Sequence, residues 1–292
     1  MLVTGGTGQV GSALLRRLGA AGVPTIAPDR RELDLCDPDG MRAYLDRTPF
    51  GALINCAAYT AVDRAEDEPD LAAVINARAP GIMAEEAARR GAPILHISTD
   101  YVFDGTGTGA YAEDASTNPL GVYGHTKLEG ERAVRAANPH HAIIRTAWVV
   151  SADGANFLNT MLRLGRERSE LAVVDDQQGC PTAADDIAEA VHAIWSQLGE
   201  RGGTWHFVNA GEASWFDLAR FIFSRAGRYG LHTPDVRPIA TADYPTRARR
   251  PANSRLSTVR FERDFGLKPR VWQDAIAAIM TQKFGQQTES EL

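Results

Sequence analysis

Tyr123 and Lys127 stand four residues apart at the start of a segment, Tyr123–Ala137, whose apolar residues recur at helical spacing. Residues at positions i and i+4 lie on one face of a helix, so the phenol and the ammonium face the same side. A phenol with a pKa near ~10 is a weak acid at neutral pH, and a neighbouring ammonium is expected to lower that pKa. The pair therefore predicts a proton donor, with Tyr123 as the acid and Lys127 as its electrostatic partner.

Two hydroxyl side chains, Ser98 and Thr99, follow the predicted strand Ile94–Ile97. One of them should donate a hydrogen bond to the substrate carbonyl. Since successive side chains of a strand point to opposite faces, only one of the two points inward, and we favour Thr99. Asn76, in the helical segment before this strand, has two interpretations: it anchors a water molecule in a proton relay, or it is a packing residue with satisfied hydrogen bonds.

Three glycines, Gly5, Gly8 and Gly11, stand between the first apolar run, Leu2–Thr4, and a helical pattern, Val10–Ala21. This strand–loop–helix context is typical of a dinucleotide-binding loop. One glycine permits the tight turn, the next lets a pyrophosphate approach the backbone, and the last allows the helix to pack closely on the strand. The helix N-terminus presents free N–H groups to the phosphates, so the loop predicts NADPH or NADH as the cofactor.

The residues after the second apolar run give conflicting indications of cofactor preference. Asp29 is placed to accept hydrogen bonds from the adenosine ribose and favours NADH. Arg30 and Arg31 follow at once and suit the 2′-phosphate of NADPH. Asp34 and Leu35 fit an edge contact with the adenine. The sequence leaves the preference between the two cofactors open.

Alternating strands and helices are expected to position these residues. The predicted strands are Leu2–Thr4, Thr25–Ala27, Ala52–Asn55, Ile94–Ile97 and Ala142–Arg145. The helical patterns between them are Val10–Ala21, Asp39–Arg47, Leu71–Arg90 and Tyr123–Ala137. This alternation predicts an α/β fold, a Rossmann-type doubly wound parallel sheet covered by helices on both faces.

The alternation of strands and helices becomes less regular after Trp148. The helical patterns in this half are Phe157–Arg166, Ala183–Gln197, Trp215–Ala226 and Gln273–Met280. Residues 228–256 are rich in Pro, Arg and Thr and give no regular pattern, and we expect the polar tail after Phe284 to be disordered. We predict a dinucleotide-binding domain at 1–147 with returning elements near 183–227, and a smaller substrate-binding region at 148–182 and 228–292.

Composition excludes several classes of function. The formal net charge of -6 argues against a nucleic-acid partner. One basic cluster suits a small anion or is a solvated charged face; it consists of Arg247, Arg249, Arg250 and Arg255. The three cysteines lack a paired spacing, which favours a reducing compartment, and no apolar run approaches the ~18 residues of a membrane span. With no leader-like N-terminus, we expect a cytoplasmic protein, and the scattered histidines predict no metal site.

These motifs together resemble the dTDP-4-dehydrorhamnose reductase family, an atypical branch of the extended short-chain dehydrogenases. The matching segments run through nearly the whole chain: Gly5–Gly11, Ala57–Glu66, Ser98–Gly105, Pro119–Lys127, Arg145–Trp148, Asp176–Thr182 and Tyr244–Leu256. The stretches beginning at Ser98 and at Arg250 are specific to this branch. The resemblance implies reduction of the C4 ketone of dTDP-4-dehydro-L-rhamnose to dTDP-L-rhamnose.

The resemblance also implies roles for individual residues. Tyr123 is the general acid, Lys127 its partner and Thr99 the hydrogen-bond donor on the carbonyl side. The resemblance implies that Gly8, Gln9 and Val10 contact the cofactor's pyrophosphate, Asp34 and Leu35 its adenosine, and Ala58, Tyr59 and Thr60 its inner half. We add to these candidate cofactor contacts Gly5, Gly11, Asp29, Arg30, Ala57, Ile97, Tyr123 and Lys127. The expected substrate contacts, including those to the phosphates of the dTDP-sugar, are Val62, Thr99, Asp100, Tyr101, Trp148, Arg250 and Asn253.

One departure and three alternatives remain. Some relatives carry a glutamate in a metal-bridged dimer where this chain has Ala13, so we expect a monomer or a homodimer without that bridge.

The motifs are also compatible with a dTDP-4-ketosugar reductase for a related deoxysugar of the dihydrostreptose or 6-deoxytalose type, or with an epimerase that holds NAD tightly. The third alternative is a non-catalytic regulatory subunit resembling that of methionine adenosyltransferase. The complete set of Thr99, Tyr123 and Lys127 argues against the regulatory subunit.

Overall fold

A parallel five-stranded sheet forms the centre of the computed structural model, which describes residues 1–197 and 202–285. The strands of the described chain are β1 Leu2–Thr4, β2 Leu53–Asn55, β3 Ile94–Thr99, β4 His141–Thr146, β5 Val149–Val150, β6 Glu170–Val174, β7 Gln178–Gly179, β8 Thr182–Ala183, β9 Gly203–His206, β10 Ala213–Ser214 and β11 Asp235–Ile239. The central sheet has the order β1-β2-β3-β4-β9. The α/β fold with a parallel sheet is confirmed.

Eleven α-helices connect and cover the strands of the described residues. They are α1 Gln9–Ala20, α2 Pro38–Arg47, α3 Val62–Ala65, α4 Pro69–Ala73, α5 Ala79–Arg89, α6 Val122–Ala137, α7 Phe157–Glu167, α8 Ala184–Gln197, α9 Trp215–Ala226, α10 Val259–Phe265 and α11 Trp272–Phe284. The predicted helix Trp215–Ala226 matches α9 at both ends. Helix α10 was missed, because its seven residues are too few to establish a period.

Alternating apolar side chains on the strands build two separate core layers. Leu2, Leu53 and Ile94 are aligned across β1, β2 and β3 and pack against α2, α5 and α6 on one face. The following residues, Val3 and Ile54 among them, point to the other face and pack against α1 and α8. Both faces are therefore buried, as period-two alternation in a helix-covered sheet requires.

The predicted strand Thr25–Ala27 is wrong in its extent. The structure has there a single parallel bridge between Ile26 and Leu2 at the edge of the sheet. Pro24 and Pro28 flank this segment, and proline has no N–H to donate to a strand ladder. The pairing therefore cannot extend beyond Ile26.

The predicted single helix Leu71–Arg90 is interrupted. A π-helical turn, Val74–Arg78, separates α4 from α5. Asn76 lies in this turn and is fully buried. Its amide donates to the carbonyl of Tyr59 (3.1 Å) and to the hydroxyl of Thr126 (3.2 Å), and its carbonyl accepts from the backbone N–H of Tyr59 (2.8 Å). These bonds support the packing interpretation of Asn76.

The C-terminal half forms a third apolar cluster of its own, built from α7, α9, α11 and the strand pair β6 and β11. The expectation that residues 228–256 lack regular structure is wrong, because β11 pairs with β6 over five residues. Pro238 in β11 obscures the strand in the sequence. The predicted disordered tail lies outside the described residues, except Gly285.

No helix among the described residues is long and apolar enough to cross a membrane. Cys36, Cys56 and Cys180 are unpaired thiols.

Candidate active site

A cavity of about 680 Å³ opens at the carboxyl ends of the central strands. Its wall includes the last residue of β1, Thr4, and the last residues of β3 and β4, Thr99 and Thr146. Most of the predicted site residues line it: Gly5, Gly8, Gln9, Val10, Asp29, Arg30, Asp34, Leu35, Ala57, Ala58, Thr60, Val62, Ile97, Thr99, Asp100, Tyr101, Tyr123, Lys127 and Trp148. The cavity therefore extends from the glycine loop to the tyrosine–lysine pair.

The glycine loop is shaped by two close backbone approaches. Gly5 has φ +70°, and a Cβ there would lie 2.6 Å from the backbone nitrogen of Ala57. Gly11 does not line the cavity; a Cβ on it would overlap the carbonyl oxygen of Gly5. This is the helix–strand packing role predicted for the last glycine. Helix α1 begins at Gln9 with no acidic residue in its first turn, so its N-terminus suits a pyrophosphate.

At the outer end of the cavity, the two acidic side chains cap local turns. One carboxylate oxygen of Asp29 accepts from the backbone N–H groups of Arg31 (2.7 Å) and Glu32 (3.0 Å). Asp34 accepts from the backbone N–H of Cys36 (3.0 Å). Arg30 also lines the cavity and pairs with no carboxylate within the described chain. The structure thus places a cation and two turn-capping carboxylates at this end.

Tyr123 lies in the first turn of α6, with its ring edge-on to that of Tyr101 at 5.4 Å between centroids. Burial raises the pKa of the Tyr123 phenol, and a hydrogen bond with Thr99 lowers it by less. The expectation that this pKa would be lowered is wrong for this arrangement, because the charges of Asp100 and Tyr101 act in the same direction as burial. Tyr123 is therefore a protonated phenol at neutral pH.

Lys127 is almost fully buried, with 1% of its surface exposed. Its side-chain nitrogen lies 2.6 Å from the carbonyl oxygen of Ile97 and 3.3 Å from Nε2 of His96. Burial lowers the pKa of Lys127 to about 8, against the opposing charge of Glu131. The side chain is thus held among fixed partners at the floor of the cavity.

The two candidate hydroxyls take different partners. Ser98 donates to a carboxylate oxygen of Glu131 at 2.7 Å, in the buried layer behind the sheet edge. Thr99 donates to the Asp100 carboxylate at 2.9 Å and hydrogen-bonds to Tyr123. Thr99 is therefore the hydroxyl placed beside the phenol, as alternation along the strand favoured.

The side of the cavity expected to hold the sugar carries Asp100, Tyr101 and Trp148. Burial raises the pKa of Asp100 to about 6. Trp148 has φ +48°, the one non-glycine residue with positive φ in the described chain. Its indole stacks on that of Trp215, with ring centroids 3.4 Å apart. The Trp215 contact was missed, because no local pattern links residues 67 positions apart.

Three predicted site residues besides Gly11 lie outside the cavity lining. The Tyr59 hydroxyl donates to Glu68 at 2.5 Å. Arg250 pairs with Asp63 at 2.9 Å. The Asn253 amide donates to the carbonyls of Gly107 (2.7 Å) and Gly109 (2.8 Å).

Two other members of the basic cluster are paired in the same way: Arg247 with Asp67, and Arg255 with Glu212. Three of the four arginines predicted to bind a small anion are thus paired with carboxylates in this structure.

A loop from the C-terminal half contributes residues that sequence reasoning missed. Gly154 and Ala155 line the cavity opposite the glycine loop. The side-chain oxygen of Gln9 accepts from Ser151 (2.8 Å) and from Asn156 (3.0 Å), which joins this loop to the start of α1. Nothing in the local sequence signals this contact. Within the described residues, His, Cys, Asp and Glu form no group of three able to hold a metal ion.

Comparison with known proteins extends over nearly the whole chain. A family model described as RmlD substrate binding domain matches residues 1–284. The dTDP-4-dehydrorhamnose reductase of Sinorhizobium fredii is 43% identical over 281 residues, which cover 94% of each chain. A crystal structure of a dTDP-4-dehydrorhamnose reductase from Clostridium acetobutylicum has a TM-score of 0.92 at 38% identity, covering 96% of this chain and 98% of that chain. A second, from Bacillus anthracis in complex with NADP, has a TM-score of 0.91 at 33% identity, with the same coverage.

Proposed function

The chain belongs to the RmlD substrate binding domain family, and we propose that it reduces the C4 ketone of dTDP-4-dehydro-L-rhamnose to dTDP-L-rhamnose with NADPH or NADH. The observation that carries this proposal is the meeting of Tyr123, Thr99 and Lys127 at the inner end of one cavity that begins at a glycine loop. The names of relatives about 40% identical over nearly the full length support the same reaction.

The residues of the cavity fit a nicotinamide dinucleotide, which supplies the hydride when bound. Gly8, Gln9 and Val10 would hold its pyrophosphate at the N-terminus of α1, where a side chain on Gly8 would meet the Gly5 carbonyl at 3.3 Å. Asp34 and Leu35 would hold the adenosine. The inner half would lie along Ala57, Ala58, Thr60, Ile97 and Lys127. The NADP complex of the Bacillus anthracis relative supports this cofactor class.

Tyr123 acts as the acid. Its raised pKa keeps the phenol protonated at neutral pH, so the phenol can give its proton to the ketone oxygen as negative charge develops there. Thr99 would donate a hydrogen bond to the same oxygen once its hydroxyl has exchanged its present acceptor, Asp100, and would hold the ketone within reach of the phenol.

For the substrate, Val62, Asp100, Tyr101 and Trp148 would line the sugar subsite, where the aromatic faces stack on C–H surface. Arg250 and Asn253 remain candidates for the nucleotide part of the dTDP-sugar. Because Arg250 pairs with Asp63, contact with a phosphate would require it to exchange that partner. We assign residues 1–147, α8 and β9 to the cofactor domain and residues 148–182 and 228–285 to the substrate-binding region. Helix α9 also belongs to the substrate-binding region, because it packs with α7 and α11.

We further propose a cytoplasmic enzyme, the compartment where NAD(P)H and nucleotide sugars are available, that acts as a monomer or as a homodimer without a metal bridge. Unpaired cysteines are compatible with this reducing compartment.

The decisive experiment gives purified protein dTDP-4-dehydro-L-rhamnose with NADPH and, separately, with NADH. We expect loss of absorbance at the nicotinamide band and a product identified as dTDP-L-rhamnose by NMR. Faster oxidation of NADPH would assign the 2′-phosphate to Arg30, whereas faster oxidation of NADH would assign the ribose to Asp29. No oxidation with either cofactor would contradict the reductase, and a better rate with another dTDP-4-ketosugar would reassign the substrate.

A further inference from the structure

A chain of four hydrogen-bonded side chains runs beneath the floor of the cavity. Thr4 Oγ1 lies 2.6 Å from Asn55 Oδ1, and Asn55 Nδ2 lies 3.0 Å from His96 Nδ1. His96 Nε2 lies 3.3 Å from the Lys127 side-chain nitrogen. All four residues are buried, and Asn55 and His96 are fully inaccessible. Water therefore cannot complete the hydrogen bonds of Asn55 and His96, whose polar atoms must be satisfied by their neighbours, whereas Thr4 and Lys127 also line the cavity.

The orientation of Asn55 is fixed by a group that can only donate. The backbone N–H of Ala57 lies 3.1 Å from Asn55 Oδ1. A backbone N–H cannot accept a hydrogen bond, so the atom facing it is the carbonyl oxygen and not the amide nitrogen. The amide nitrogen of Asn55 consequently faces His96 and donates to it.

This donation determines the tautomer of His96. Since Nδ1 accepts from Asn55, the proton of the neutral ring is on Nε2. Burial lowers the pKa of His96 well below its usual value, so the ring is neutral. The N–H at Nε2 then points at the nitrogen of Lys127.

An ammonium has three donors and no acceptor. A protonated Lys127 would therefore oppose its own N–H groups to that of His96, whereas a neutral amine accepts from His96 and still donates to the carbonyl of Ile97. Every hydrogen bond in the chain then runs in one direction, from Thr4 to Ile97. With the amine, each of these hydrogen bonds has one donor and one acceptor. With the ammonium, the N–H groups of His96 and Lys127 would face each other.

We propose that Asn55 and His96 are positioning residues that hold Lys127 as a neutral amine on His96 in the cofactor-free protein, and that proton uptake by Lys127 breaks this contact and frees the ammonium for the cavity. The proposal rests on the proposed function for its place in the reaction, as the step that delivers the cation next to Tyr123. Lys127 is then a switch between two hydrogen-bonding states rather than a fixed charge.

The other groups around Lys127 are consistent with this proposal. Burial raises the pKa of the Cys56 thiol to about 12, so Cys56 is uncharged. Among the described residues, Glu131 is the carboxylate whose charge favours the ammonium, but it is already paired with Arg145 and Arg135. A hydrogen bond donated to the neutral amine lowers the pKa of Lys127 further than burial alone.

The chain offers an unusually direct test, because it contains three lysines, Lys127, Lys268 and Lys283. Protein labelled with ¹³C and ¹⁵N in lysine gives three side-chain signals by NMR, and Lys268→Arg and Lys283→Arg assign them. We expect the Lys127 signal to titrate well below the ordinary pKa of a lysine, which is about 10.4. Labelling histidine instead should show His96 with its proton on Nε2 and with no titration near neutral pH.

Two variants test whether His96 and Asn55 lower the pKa of Lys127. His96→Gln can turn its amide oxygen towards the ammonium, so we expect the pKa of Lys127 to rise by about 1, the value of one hydrogen bond. Asn55→Asp replaces the donor facing Nδ1 with an acceptor, and we expect it to move the His96 proton to Nδ1 and also to raise the pKa of Lys127. His125→Gln is the matched control, since His125 is exposed on α6 and should leave Lys127 unchanged.

A His96 proton on Nδ1 in the unmodified protein, or a Lys127 pKa that His96→Gln leaves unchanged, would overturn the proposal. These measurements need neither cofactor nor substrate. They can therefore contradict the role of His96 while ketone reduction is observed, or support that role while no reduction is observed. In the active enzyme, His96→Gln should also move the limb of the pH–rate profile that belongs to Lys127 by the same amount, an effect that loss of packing alone would not produce.

Discussion

Glu131 binds Arg145 through both carboxylate oxygens, with Nε–Oε1 and Nη2–Oε2 distances of 2.8 and 2.7 Å, in the layer directly behind the catalytic residues. Glu131 follows Lys127 by one turn of α6, and it also accepts from Ser98 on β3. Arg145 lies on β4. This ion pair therefore links the helix that carries Tyr123 and Lys127 to the two strands that frame the inner end of the cavity.

Replacing Glu131 with Gln should destabilise the protein strongly. Arg145 is 2% exposed, and removing its partner leaves an uncompensated buried charge, which typically costs about 3–5 kcal/mol. Urea denaturation measures the change in the free energy of unfolding. Glu129→Gln, at an exposed position on the same helix, is the control and should change it by less than about 0.5 kcal/mol. Equal stability of the two variants would show that the ion pair contributes little.

The same ion pair predicts how stability depends on pH. Burial opposes ionisation of Glu131, but its hydrogen bonds and charge interaction with Arg145 prevail and hold the pKa of Glu131 below its ordinary value of 4.5. A carboxyl whose pKa is lowered on folding stabilises the protein fully above its unfolded pKa, and this contribution is lost as the pH falls through the folded pKa. The stability difference between the unmodified protein and Glu131→Gln should therefore be constant near pH 7 and shrink in acid below about pH 4.5. Thermal unfolding across this range measures it.

Tyr123→Phe should lower the turnover number by about two to four orders of magnitude, the usual contribution of a positioned proton donor. The ring and its edge contact with Tyr101 remain, so stability and cofactor affinity should be nearly unchanged. Tyr229→Phe removes a hydroxyl that contacts Thr281 outside the cavity and should keep normal turnover. A Tyr123→Phe enzyme with unaltered turnover would require a different acid.

Replacing Thr99 should mainly affect turnover, whereas replacing Ser98 should mainly affect stability. Thr99→Val removes the donor beside Tyr123 and should lower turnover by about 10²-fold, as loss of one donor to a developing oxyanion does. Ser98→Ala removes a hydrogen bond to Glu131, and should cost about 1 kcal/mol of stability while most of the turnover is kept. Steady-state kinetics together with urea denaturation of both variants would show a reversed pattern if Ser98 were the substrate donor.

Gly11→Ala should disturb the cofactor loop, because the added methyl group overlaps the carbonyl of Gly5. Overpacking of this kind costs about 1–3 kcal/mol, and cofactor affinity should fall with it. Gly19→Ala is the control: it lies on the same helix with no atom within 4 Å of the added Cβ, and should stabilise by about 0.5–1 kcal/mol. Thermal unfolding and cofactor titration of both variants test this, and equal behaviour would contradict the close approach.

Local chemistry explains which features the sequence predicts well. The glycine loop, the Tyr123 helix and the Thr99 strand end each depend on residues adjacent in the chain, and the structure places all three at one cavity. The pKa of Tyr123 was predicted in the wrong direction, because a spacing of four residues indicates a neighbouring charge but does not indicate burial. Desolvation depends on the whole fold and has no local pattern.

Features built from distant segments could not be predicted in this way. The contact between Gln9 and Asn156 joins residues 147 positions apart, and the partner of Arg250 is Asp63, 187 positions away. The basic cluster suggested an anion because its arginines are visible in the sequence, whereas the carboxylates that pair with them are not recognisable as partners. The His96 tautomer similarly depends on Asn55 from another strand.

The position of β9 has a consequence for biosynthesis of the chain. Strand β4 is bordered on its outer side by β9, residues 203–206, and α1 packs on α8, residues 184–197. A ribosome that has synthesised the glycine loop, Thr99, Tyr123 and Lys127 has therefore not yet supplied the strand and helix that cover their sheet. The nascent first half exposes an unpaired strand edge and an apolar helix face until residues 184–206 have emerged. The sheet that carries the catalytic residues is therefore completed only by the second half of the chain.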